Sequence, residues 1–142
     1  MFHSIQSAAV RLLAVSFILI SAPCLANGPG LVGLWEIQGT PDGAPAPAFT
    51  NLAEHDQDGS MTNIDPWFGT GLGKWEKIKS NTYAVDFTHY FLAGEAVGTV
   101  SVQGTLELTG DGDTAEGDFL TTIFVGGQVV DSVTGTIAAT RR

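Results

Sequence analysis

The sequence predicts an all-β domain, an eight-stranded antiparallel up-and-down barrel. Three observations lead there. Turn signals recur at nearly even spacing, the runs between them alternate apolar and polar residues, and no segment carries a 3.6-residue apolar period. The 142 residues suit one domain, and 18 glycines, 44% hydrophobic and 15% charged residues describe a turn-rich globular chain rather than a disordered one. A two-sheet β-sandwich is the alternative arrangement of the same strands. Closure into a barrel is preferred because strands joined in sequence order leave two exposed edges if the sheet stays open.

Met1–Ala26 comes first. It has Arg11, an apolar run from Leu12 to Ile20, and small residues at Cys24 and Ala26 placed as in a signal-peptidase site, the layout of a secretory signal. The run falls short of the roughly 20 residues of a membrane span. Lipidation at Cys24 is the alternative, opposed by Pro23, which stands where that motif wants a small residue. The expected product is an exported domain over residues 27–142, periplasmic or extracellular. Cys24 is the sole cysteine, so this domain has to hold by packing and strand pairing rather than by disulfides.

The strands follow in order: Leu31–Thr40, Ala48–Asp56, Ser60–Asp65, Gly73–Lys79, Thr82–Leu92, Val97–Thr109, Ala115–Val125 and Gln128–Arg141. Asp58-Gly59, Ser80-Asn81, Gly94-Glu95, Gly110–Asp113 and Gly126-Gly127 punctuate them as hairpin turns. The later strands alternate most cleanly. Tyr83, Val85, Phe87, His89 and Phe91 share one face, as do Val100, Val102, Leu106 and Leu108, and these faces are expected inward. Gly117, Phe119, Thr121, Ile123 and Val125 form the next inward set. Val129, Val133, Gly135, Ile137 and Ala139 form the last, with Asp131 anomalous among them. Pro41–Pro47 and Pro66–Gly73 read as loops, because Pro and Gly at that density oppose regular pairing.

Trp35 on the first strand and Arg141 on the last become neighbours if the barrel closes. The guanidinium can then lie over the indole for a cation–π contact of roughly 0.5 to 2 kcal/mol. A G-x-W on the first strand with a terminal Arg resembles the calycin superfamily of lipocalins, fatty-acid-binding proteins and avidins. The succession Gly33-Leu34-Trp35, Thr40–Pro45, His55–Gly59, Gly71–Trp75, Gly110–Thr114 and Gly135–Arg141 is similar to a group of small bacterial lipocalin-like proteins. That resemblance implies the fold and the general class only, since the group has no well-defined activity. It carries over no catalytic residue.

The net charge of −9, without a basic run, excludes nucleic acid and disfavours anionic lipid as partners. His89, between Phe87 and Phe91, is either a satisfied core histidine or a lumen group able to orient a ligand. His55 reads as a solvated residue at a hairpin mouth. Trp67 and Phe68 are either a lid over a cavity or a plug packed on the barrel end. Two histidines without a third ligand make no zinc site, and the Asp56/Asp58 and Asp111/Asp113 pairs are turn residues rather than a calcium loop. No cofactor motif is present: Gly69–Gly73 lacks the nucleotide-loop spacing and a following helix.

The expected function is binding of a small, mainly apolar molecule in the lumen, lined by Tyr83, Phe87, His89 and Phe91 with Trp67 and Phe68 at the mouth. One alternative is a cofactor-independent cyclase or isomerase of the allene oxide cyclase-like type, using His89, Tyr83 or Asp131. Another is a filled barrel serving as a structural or protein-interaction module.

Overall fold

A computed structural model of the chain describes residues 30–142. The signal reading of Met1–Ala26 and the lipidation alternative at Cys24 lie outside these residues. Eight strands follow one another: β1 (Gly33–Pro41), β2 (Phe49–His55), β3 (Ser60–Asp65), β4 (Gly69–Lys79), β5 (Thr82–Ala93), β6 (Ala96–Thr109), β7 (Thr114–Val125) and β8 (Gln128–Arg141). Each pairs antiparallel with the next, and β8 returns to β1 to close the barrel. The all-β, up-and-down barrel expected from the period-2 runs is the architecture found, and the sandwich alternative falls.

Up-and-down order puts alternate connections at opposite ends. The β1–β2 loop, Pro66–Phe68, Gly94-Glu95 and Gly126-Gly127 share one end, called the mouth; Asp56–Gly59, Ser80-Asn81 and Gly110–Asp113 share the other, the floor. At the floor, the Arg141 guanidinium lies 4.4 Å from the centre of the Trp35 ring. It also donates to the carbonyls of Val32 (2.5 Å), Gly30 (2.7 Å) and Gly112 (3.0 Å) and pairs with Asp113 (3.0 Å). The Trp35 indole N–H donates to the Leu31 carbonyl at 2.8 Å, and Trp35 itself is 0% exposed. One cation thus ties the segment leading into β1, the β6–β7 turn and the last strand onto a single indole, as the neighbouring of first and last strands required.

Two expectations need correction. Gly69–Leu72 are not loop but the start of β4, paired with β3 through Asp65↔Gly69 and Asn63↔Gly71. Gly71 and Gly73 face inward there, opposite residues whose rings need the room. A Cβ on Gly71 would stand 2.7 Å from the His89 ring, and one on Gly73 2.4 Å from Phe87 Cβ. Glycine density had suggested irregular backbone; its cause is instead the space these side chains take. The second correction concerns β8. Its register shifts so that Ile123 faces Asp131 while Phe124 faces Val129, leaving Val130 as the extra residue of a bulge. Val129 is therefore no lumen residue, and Asp131 stands exposed at the rim, its Oδ1 accepting the Ser132 N–H.

Candidate functional site

The inward face of β5 builds one wall from the floor upward: Tyr83, Val85, Phe87 and His89 are all buried. Large inward residues recur opposite inward glycines. Phe49 faces Gly39, Phe87 faces Gly73, Phe91 faces Gly98 and Phe119 faces Gly135 across the strand pairs. At Gly39, Gly98 and Gly135 the facing ring lies in the space a Cβ would occupy, and at Gly73 that space is taken by the Asp86 carbonyl and the Phe87 Cβ. Rings are thereby held against the wall, and the centre of the mouth half stays open.

A cavity of about 250 Å³ occupies that half, between Phe49, Phe87, Val100 and Val102, with Trp67 and Phe68 at its rim and His89 in its wall. Deeper in the lumen, past Phe87 and Asn51, space narrows to a void of about 30 Å³ bordered by His55, enough for one or two waters. Below it the floor is packed by Trp35, Met61, Tyr83 and Leu106.

Three polar side chains cross the lumen where the two halves meet. Asn51 and Asn63 project inward from β2 and β3, and Asn51 Nδ2 donates to Asn63 Oδ1 at 3.3 Å. His89 Nε2 meets the same oxygen at 3.1 Å. An amide oxygen only accepts, so Nε2 carries the proton and Nδ1 is left as a bare lone pair. Among the described residues Nδ1 has no partner, and neither has Asn51 Oδ1. His89 is 2% exposed, stacked edge-on against Phe87 (5.6 Å between ring centres) and lying 6.3 Å from Phe68. Burial pushes its pKa below the usual imidazole value, with the Asp65 carboxylate and the Gly69 backbone pulling back, so the ring is neutral at pH 7.

The Trp67–Phe68 turn is held by Asp65, whose Oδ1 accepts both backbone N–H groups at 2.6 and 2.9 Å. The two aromatics then part. Phe68 turns in and packs on Phe91 at 5.6 Å, while Trp67 is 80% exposed. Plug and lid are thus divided between neighbouring residues, and a cavity does lie behind them.

Of the six site residues expected from sequence, Trp67, Phe68, Phe87 and His89 line this cavity. Phe91 supports it through Phe68. Tyr83 does not reach it: it packs at the floor against Trp75, 5.8 Å between ring centres, with Lys77 over its ring. The trio His89, Tyr83 and Asp131 is consequently spread over wall, floor and rim, and no two of them share a cavity. Asn51, Asn63 and Asp65 are site residues that the sequence reading missed. A polar residue at an inward position of an alternating strand was the signal available.

His55 is the largest departure. Expected as a solvated turn residue, it is 1% exposed, the last inward residue of β2, edge-on to Trp75 at 6.2 Å, with neither ring nitrogen hydrogen-bonded. Burial, helped by the positive charge of Arg141, lowers its pKa from 6.5 to about 4. The inward register of Asn51 and Ala53 dictates this placement, and the polar Asn hid that register.

The carboxylate pairs serve their turns. Asp58 takes the Ser60 hydroxyl at 2.6 Å and its N–H at 2.8 Å, which holds its carboxyl below the usual carboxylate range. Asp113 is engaged by Arg141, and Asp111 accepts the Asp113 N–H. Among the described residues no three His, Cys, Asp or Glu side chains gather as a metal site would require, and no helix is long and apolar enough to cross a membrane. No family model, curated protein or solved structure matches the chain.

Proposed function

We propose that the protein is an exported, lipocalin-like carrier or sensor that binds a small, mainly apolar molecule in the mouth half of its barrel. One observation carries the reading: a mainly apolar cavity of about 250 Å³ walled in part by His89, whose buried Nδ1 has no partner among the described residues. A buried polar atom left unsatisfied costs roughly 1 to 3 kcal/mol, a cost a ligand would relieve. Apolar walls would supply most of the affinity. A ring-sized ligand buries roughly 200 Å², worth about 5 kcal/mol at about 25 cal/mol per Å². That corresponds to a dissociation constant of order 0.1 mM before further contacts.

Phe68 would act as the gate, since it packs inward across the opening without a hydrogen bond from its side chain. The test is titration of purified protein with neutral single-ring and naphthalene-sized compounds, followed by Trp67 fluorescence and calorimetry. Saturable one-to-one binding that weakens at least tenfold in Phe87→Trp, which fills the cavity, is expected. Binding of none of them, or binding indifferent to Phe87→Trp, would sink the lumen site.

A further inference from the structure

We infer that the molecule taken by this cavity is uncharged, close to one aromatic ring in size, and carries a hydroxyl or N–H group that donates to the wall. The inference rests on the binding reading above and narrows it to a ligand class, of which phenols are the simplest members.

Size comes first. An apolar cavity of about 150 Å³ holds one benzene molecule, so about 250 Å³ accommodates a substituted ring. A long acyl chain has no room to continue, because the lumen beyond Phe87 shrinks to about 30 Å³.

Charge comes next. Lys74, Lys77, Lys79, Arg141 and Arg142, the cations of the described residues, all lie toward the floor, and none borders the cavity. The charged group that does border it is the Asp65 carboxylate. An anion would therefore be buried without a counterion and beside a like charge, which is strongly unfavourable.

Polarity decides the rest. Two residues that border the cavity, His89 and Asn51, each hold a buried polar atom without a partner among the described residues, Nδ1 and Oδ1, and both atoms accept. Asp65 also accepts, and its Oδ1 is taken by the Trp67 and Phe68 N–H groups. Thr121, whose hydroxyl turns either way, and Trp67, an indole N–H donor on a residue 80% exposed at the rim, are the remaining polar side chains there. The unpartnered buried atoms of the lining residues are thus acceptors, which selects a ligand that donates; a ketone, aldehyde or ether would leave Nδ1 unpaired.

The experiment titrates purified protein at pH 7 with p-cresol, toluene, p-tolualdehyde and 4-methylbenzoate, four probes of nearly equal bulk. p-Cresol is expected to bind roughly tenfold more tightly than p-tolualdehyde, and 4-methylbenzoate not to bind. In the native protein, p-cresol but not toluene shifts the ¹⁵N resonance of His89 Nδ1, a readout that needs no variant. His89→Phe, if it folds, erases the preference for p-cresol over toluene. Equal binding of p-cresol, toluene and the aldehyde overturns the donor inference while leaving the lumen site standing. Preferred binding of the benzoate overturns it through charge. If neither toluene nor p-cresol enters, the lumen reading itself has failed.

Discussion

The two halves of this barrel share one closed sheet and one period-2 pattern, yet one is solid and the other is open. At the floor, Leu31, Trp35, Met61, Leu106, Ala115 and Ala139 are each at most 3% exposed, and Arg141 meets three carbonyls, a carboxylate and an indole face. At the mouth, inward glycines alternate with rings that lie back over them, two acceptors stay unpaired, and Trp67, Leu92 and Val129 stand out in solvent. The strands form equally well in both halves, because backbone pairing does not depend on what fills the lumen. Side-chain volume decides which half is core and which is site. The floor is the packed half, and the mouth half holds the candidate site.

Three perturbations bear on this division, the largest first. Trp35→Ala removes the fully buried indole and the ring under Arg141, so a loss of about 4 kcal/mol or more is expected in denaturant unfolding. A loss below about 1 kcal/mol would mean that the floor is not the stabilising half.

The second is acid. Unfolded His55 takes up a proton near pH 6.5, whereas the folded one holds out to about 4. Between these values the unfolded state binds more protons, so stability falls as the pH drops from 6.5 to 4, by about 3 kcal/mol, and this contribution levels off below. Burial of neutral His89 acts in the same direction. Unfolding curves collected across that window should show the slope, and His55→Leu should flatten most of it. An unchanged slope in that variant would return His55 to the solvent-exposed role its turn-like sequence context suggests.

The smallest effect is expected at the gate. Phe68 is half-buried at the rim, so Phe68→Ala should cost about 1 kcal/mol or less while raising the association rate of ring-sized ligands in stopped-flow fluorescence. A stability loss comparable to that of Trp35→Ala would make Phe68 core rather than gate, and would merge the two halves into one.

Much of this was legible along the chain. The Thr82–Leu92 run placed Phe87 and His89 inward because tertiary packing on one face imposes period-2 alternation, and the turn glycines marked strand ends within a few residues. Trp35 and Arg141 could be paired across the whole sequence because only closure brings first and last strands together. The Gly69–Leu72 strand was illegible for the opposite reason. Gly71 answers to the His89 ring on β5, a neighbour that contributes nothing to the local pattern. Asn51, Asn63 and His55 look outward by polarity, yet they point inward because the registers of β2 and β3 leave no other choice, and Asn51 and Asn63 meet His89 only when β2, β3 and β5 curve around the lumen.

The sequence by itself determined eight strands, their order, the turns between them and most of which side chains face in, since these depend on local alternation and backbone preference. The tertiary structure decided where the lumen stays open, that His55 is buried, that β8 bulges at Val130, and that His89 keeps a free acceptor. Those outcomes depend on how side chains from several strands add up in a shared volume, and on which hydrogen-bond partners that volume brings within 3 to 3.5 Å.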